Sequence, residues 1–136
     1  MKRKFFVVGN VLVESDSLAL RLLPHLRKRF PCFEFLELDP NEDIEEEEVN
    51  IIDVAVGIDK VMLIDDINII DEGRVYSMHD FGIGMQLKIL KELGKVRRVN
   101  IIAIPYNMHV KEALDGVIKE IERLSDRNER CFRKRC

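Results

Sequence analysis

The sequence predicts an α/β domain, a single three-layer unit in which a mostly parallel sheet carries helices on both faces and an inserted β-hairpin. Three observations lead there. Short β-branched or aromatic runs alternate with segments whose apolar residues recur at helical spacing, the pattern of strands joined by helices. The 136 residues fit one hydrophobic core rather than two. Apolar residues make up 46% and charged residues 35% of the chain, which excludes a disordered polymer. No apolar run approaches the ~20 residues of a membrane helix.

Each element follows from its residues. Phe5 to Val8 reads as the first strand, and Leu18, Leu22, Leu26 and Phe30 form the stripe of the first helix. Phe33 to Leu38 is a second strand. Glu37 to Glu48 is strongly acidic and reads as a solvated loop running into a short helix, Val49 to Val56. A docking surface for a basic partner is the sharper reading of that acidic run. Val61 to Ile64 forms the third strand. From Ile67 to Met78 the turn Asp71-Glu72-Gly73 suggests the inserted hairpin. Met85, Ile89, Leu90 and Leu93 mark another helix, with Gly94 as its C-terminal stop. Val99 to Ile104 is the fourth main strand, and Ala113, Val117, Ile121 and Leu124 are the stripe of the last helix. The domain is expected to span residues 1–126, and residues 127–136 to be a basic, flexible tail.

Charge and cysteine content narrow the class. Twenty-two basic residues against 25 acidic ones give a net charge of -3, with no overall nucleic-acid signature. The opening Met1 to Val8 faintly mimics a signal peptide, but Gly9-Asn10 and Glu14 cut its apolar region short. Cys32, Cys131 and Cys136 are odd in number and badly spaced for a disulfide framework or a zinc site. The expectation is therefore a cytoplasmic monomer with reduced thiols, no membrane segment, and Cys32 as a small buried hydrophobe.

In an open parallel sheet, function gathers at the carboxyl ends of the strands. Gly9-Asn10 lacks the glycine spacing of a phosphate loop, and no lysine follows at the helix start. Asp65-Asp66 suits a phospho-accepting receiver domain, but the acidic residues after strand one and the lysine after the last strand are missing. Ser15 and Ser17 are helix-capping residues, and no GxSxG elbow exists. His25 and His109 lie on helical patterns and read as structural or exposed. What remains is Asp16, Asp65 and His79, two carboxylates and an imidazole expected on one edge. These donors suit a borderline divalent ion such as zinc or nickel, and three ligands leave coordination positions open. Each has a plainer reading: Asp16 as a helix cap, Asp65 as a strand end, His79 as a surface histidine.

These residues resemble the hydrogenase maturation endopeptidases, which process the large subunit of nickel–iron hydrogenases. The first motif is Phe6-Val7-Val8-Gly9-Asn10-Val11-Leu12-Val13-Glu14-Ser15-Asp16, leading into a helix. The second is the apolar strand ending in Asp, Val61-Met62-Leu63-Ile64-Asp65. The third is Ser77-Met78-His79 followed by Gly82, and Ile101 to Pro105 matches the closing strand. The resemblance spans residues 4 to 124. It implies that Asp16, Asp65 and His79 are the catalytic and metal-contacting positions. It implies nickel supplied by the substrate precursor, no organic cofactor, and the hydrogenase large-subunit precursor as partner. The implied reaction is removal of that precursor's C-terminal extension. The first loop departs from the family by lacking its two glycines, which leaves a non-catalytic binding module as the competing expectation.

Overall fold

The computed structural model describes residues 3–8, 18–37, 47–65, 76–77 and 91–128. Strand β1 (Lys4–Val7) alternates half-buried Lys4 and Phe6 with buried Phe5 and Val7. It pairs in parallel with β2 (Glu34–Glu37) on one side and with β3 (Glu48–Val56) on the other. Helix α1 (Leu18–Arg29) joins β1 to β2 and buries Leu18, Ala19, Leu22, Leu23 and Leu26 along one stripe. Its last turn carries Arg27, Lys28 and Arg29, cations that favour a helix C-terminus. Arg27 also donates through Nη2 to the Phe35 carbonyl at 2.8 Å, tying the helix to β2.

Four of the chain's seven phenylalanines gather where α1 meets β1 and β2. The rings of Phe5, Phe30, Phe33 and Phe35 lie 5.4–6.4 Å apart in tilted, stacked and edge-on pairs. Such pairs add ~0.5–1.5 kcal/mol each beyond the burial of their surface. Cys32, in the turn before them, is half-buried and disulfide-bonded, against the expectation of a reduced, buried thiol. The chain's other cysteines, Cys131 and Cys136, lie outside the described residues. Sequence spacing says nothing about residues brought together in space, so the pairing had no signature.

Two further expectations are corrected. Val49 to Val56 is no helix: Glu48–Val56 is the nine-residue strand β3, buried from Val49 to Ala55. A strand covered on both faces reads as a continuous apolar run without alternation, and the preceding glutamates lend it a helical look. The other correction concerns β4 (Met62–Ile64), which runs antiparallel to β6 (Arg98–Pro105). Only Gly57 to Val61 separate β3 from β4, and a parallel crossover needs a dozen or more residues. Reading β3 as a helix hid how short that connection is.

The sheet order is β2-β1-β3-β6-β4, with β3 and β6 parallel through eight residue pairs, Glu48↔Arg98 to Ala55↔Pro105. Strand β5 (Tyr76–Ser77) pairs antiparallel with the end of β3. The remainder of the expected hairpin lies outside the described residues. Helix α2 (Val110–Asn128) follows β6 and runs two residues into the segment expected as tail. Its buried Ala113, Val117, Ile121 and Leu124 join α1, Phe5, Val7, Ile52, Val54, Ile102 and Ile104 in one cluster. A second cluster, with Val8, Ile51, Ala55, Ile64, Val96 and Ile101, fills the other face. Of the helix expected around Met85 to Leu93, the described part is its end at Lys91–Glu92; Gly94 stops it in a left-handed conformation, φ 80°. The domain is thus a three-layer α/β unit on a mixed, mostly parallel sheet. No helix among the described residues is long and apolar enough to cross a membrane.

At the amino-terminal edge, polar side chains replace the apolar filling. Asn100 donates through Nδ2 to Asn50 Oδ1 at 2.9 Å and to Glu48 Oε1 at 3.3 Å. Asn50 donates to the Lys4 carbonyl at 3.1 Å, so the ladder links β1, β3 and β6. Arg3 meets Glu48 at 3.5 Å.

Two stability predictions follow from this packing. Asn50→Leu should cost ~1–3 kcal/mol by leaving buried Asn100 short of an acceptor. Asn50→Leu/Asn100→Leu should recover part of that loss, as read from denaturant midpoints; strict additivity would contradict the linkage. Gly116→Ala tests the contact between α2 and the segment entering β4. A Cβ at Gly116 would stand 2.7 Å from Cβ and Cγ2 of Val61. Overpacking should cost ~1–3 kcal/mol, outweighing the ~1 kcal/mol that alanine normally gains over glycine in a helix. A stabilised Gly116→Ala variant would refute the close approach.

Candidate functional site

Sheet topology singles out one place at the carboxyl edge. From β1 the chain crosses outward through α1 to β2, then returns past β1 to β3. The direction of winding therefore reverses between β1 and β3, the kind of crevice where open α/β sheets bind ligands. The Val8 amide donates to the Ile52 carbonyl at 2.9 Å, the last link between the two strands among the described residues, while β3 continues to Val56. The exposed flank of β3 is taken up by β5, with Ala55 opposite Ser77 and Val56 opposite Tyr76. On the other side the Tyr106 amide donates to the Ala55 carbonyl at 3.1 Å. Gly57 then turns the chain away with φ 94°, a value that side chains rarely adopt.

One buried carboxylate lies on β3 beside the end of β1. Asp53 is 9% exposed, on the central strand, one residue beyond Ile52. Strand alternation sets it on the face shared by Ile51 and Ala55. It lies about 7 Å along the strand from Ala55, the partner of Ser77. It is the one charged side chain in the stretch of β3 that is buried from Val49 to Ala55, and a carboxylate in a central strand needs pairing to be held there. The sequence reading missed it because a helix over Val49 to Val56 makes Asp53 an ordinary polar-face residue. The available signal was a lone acid flanked by Ile51, Ile52, Val54 and Ala55.

Asp65 is elsewhere. It is exposed and follows Ile64, whose partner on β6 is Ile101, near the amino-terminal edge. Because β4 is antiparallel, its carboxyl end points opposite to those of β1, β3 and β6. About five residues of rise and three strand spacings separate Asp65 from Ser77, roughly 20 Å. Asp16 and His79, the other expected site residues, lie outside the described residues. Among the described residues no group of three His, Cys, Asp or Glu side chains could hold a metal ion. His25 is exposed on α1, and His109 is exposed with its carbonyl accepting the Ala113 amide at 2.9 Å, the first hydrogen bond of α2.

Beside the crevice, a cavity of about 550 Å³ opens between the starts of α1 and α2. Leu18, Met108 and Val110 give it apolar walls, and Arg21, Tyr106 and His109 add polar ones. Tyr106 is 46% exposed, a large ring left open to solvent at the rim. No protein-family model matches the chain, and no curated protein or solved structure matches it.

Proposed function

We propose that the chain is a metal-dependent endopeptidase that removes the C-terminal extension of a nickel-loaded nickel–iron hydrogenase large-subunit precursor. The observation that carries this reading is the pairing of β5 with the end of β3. It brings Ser77, the first residue of the Ser77-Met78-His79 motif, to the crevice that the end of β1 also borders. The described parts of the first and third motifs, Phe6–Val8 and Ser77, therefore both border β3. Asp53 stands at the same edge, and we assign to it the role that the sequence reading gave to Asp65.

The nickel is part of the substrate, held by the precursor's cysteines. Asp16, Asp53 and His79 would offer it two carboxylates and an imidazole, donors compatible with a borderline divalent ion. A three-ligand set binds weakly alone and becomes complete when the precursor adds thiolates, so cleavage waits on correct loading. In the chemical step a carboxylate accepts a proton from the water that attacks the scissile carbonyl. The amide C–N bond then breaks and the leaving amine takes up a proton. The cavity flanked by Arg21 and Tyr106 would seat the peptide on one side of the scissile bond.

The test is to mix the purified protein with nickel-loaded precursor and follow the precursor's mass. Loss of the C-terminal extension is expected, and a stable complex without shortening would favour the binding module instead. Asp53→Asn and His79→Ala should each slow processing by about 10²–10⁴-fold, the range for losing a positioned acid–base or ligand group. Asp65→Asn should process at close to the parent rate. Full activity in His79→Ala would sink the metal-site assignment. Loss in Asp65→Asn with a normal Asp53→Asn would return the role to Asp65.

A further inference from the structure

At the amino-terminal edge, far from the proposed peptidase crevice, a cavity of about 430 Å³ is lined, among the described residues, by Asp65, Lys91, Arg97, Arg98, Val99, Asn100 and Leu124. Three of these seven residues are cations and one is a carboxylate. We propose that this cavity is a binding site for a small phosphorylated hydroxy compound, a sugar or polyol phosphate.

The cations are held on one tightly built turn. The Gly94 amide donates to the Lys91 carbonyl at 3.0 Å, and the left-handed Gly94 reverses the chain after the helix end. Val96 is buried and anchors the middle of the turn. The amides of Arg97 and Arg98 both donate to the Glu47 carbonyl, at 2.7 and 3.2 Å, fixing where the two guanidinium groups start. The Arg97 side chain meets Glu47 at 3.8 Å, with both side chains at least 75% exposed. An ion pair so open to water is worth little, and a ligand phosphate can displace it. Arginine forks match phosphate oxygens in bidentate geometry, and a lysine adds a mobile charge.

The remaining wall selects among phosphates. Asp65 accepts hydrogen bonds but repels a bare dianion, so it favours a ligand that presents a hydroxyl to it. Asn100 is held from behind by Asn50 and Glu48, a rigid backing for the pocket floor. The volume lies within the ~300–1,000 Å³ typical of small-molecule sites. The hydroxyl of a sugar or polyol suits that wall.

Amide NMR titration of the full chain with ribose 5-phosphate, and separately with inorganic phosphate, tests the proposal. Saturable shifts are expected at Asp65 and from Lys91 to Asn100, weakening as salt is raised. Ribose 5-phosphate should bind more tightly than inorganic phosphate. Lys91→Gln and Arg97→Gln should each weaken binding about tenfold, as loss of one charge-assisted hydrogen bond implies. Their denaturation midpoints should stay near the parent's, separating binding from folding. Absence of saturable shifts at these amides, or unchanged affinity in Lys91→Gln/Arg97→Gln, would overturn the site. Equal affinity for the two ligands would overturn the hydroxyl-selecting part of Asp65.

Discussion

The structure depends on burying β3 on both of its faces. Its residues from Val49 to Ala55 are all inside, between β1 and β6 laterally and between the two apolar clusters above and below. At ~1.5–3 kcal/mol for each fully buried aliphatic side chain, Val49, Ile51, Ile52 and Val54 together contribute on the order of 6–12 kcal/mol. Such a strand has to be covered everywhere, and the other elements divide that work. α1 and α2 cover the side of Ile52 and Val54, the second cluster covers Val49 and Ile51, and β6 matches β3 through eight residue pairs.

From this constraint come two edges of different chemistry. At the carboxyl end β3 outruns β1, and the vacant flank is filled by β5, which carries Ser77 to the reversal point of the sheet. Asp53, the charged residue in β3's buried stretch, stands there. At the amino end the buried stretch includes Asn50, which pairs with Asn100 and ties three strands together through side-chain amides. Beyond that ladder lies the basic turn from Lys91 to Arg98. The proposed peptidase chemistry thus falls at the acidic edge, and the proposed anion site at the basic one.

Much of this fold was legible in the residues. Helices α1 and α2, Gly94 as a stop, and strands β1, β2 and β6 follow from apolar spacing, since each is amphipathic or flanked by clear breaks. β3 was not legible because a strand buried on both faces has no alternation, and the glutamates before it favour a helix. That one misreading carried two others with it. It hid the short link that forces β4 to run antiparallel, and it put Asp65 on the wrong edge while concealing Asp53. The disulfide at Cys32 left no local trace either. The Ser77-Met78-His79 motif was visible, but its anchoring on β3 requires the paired strands to be known.

The central claim is that divalent-metal chemistry belongs to the carboxyl edge around Asp53. Paramagnetic broadening of backbone amides by Ni2+ added to the full chain measures this most directly. Selective broadening is expected at Val8, from Asp53 to Gly57, and at Ser77, with the signals of Ile64 and Asp65 left sharp. Broadening centred on Asp65, with Asp53 and Ser77 unaffected, would contradict it.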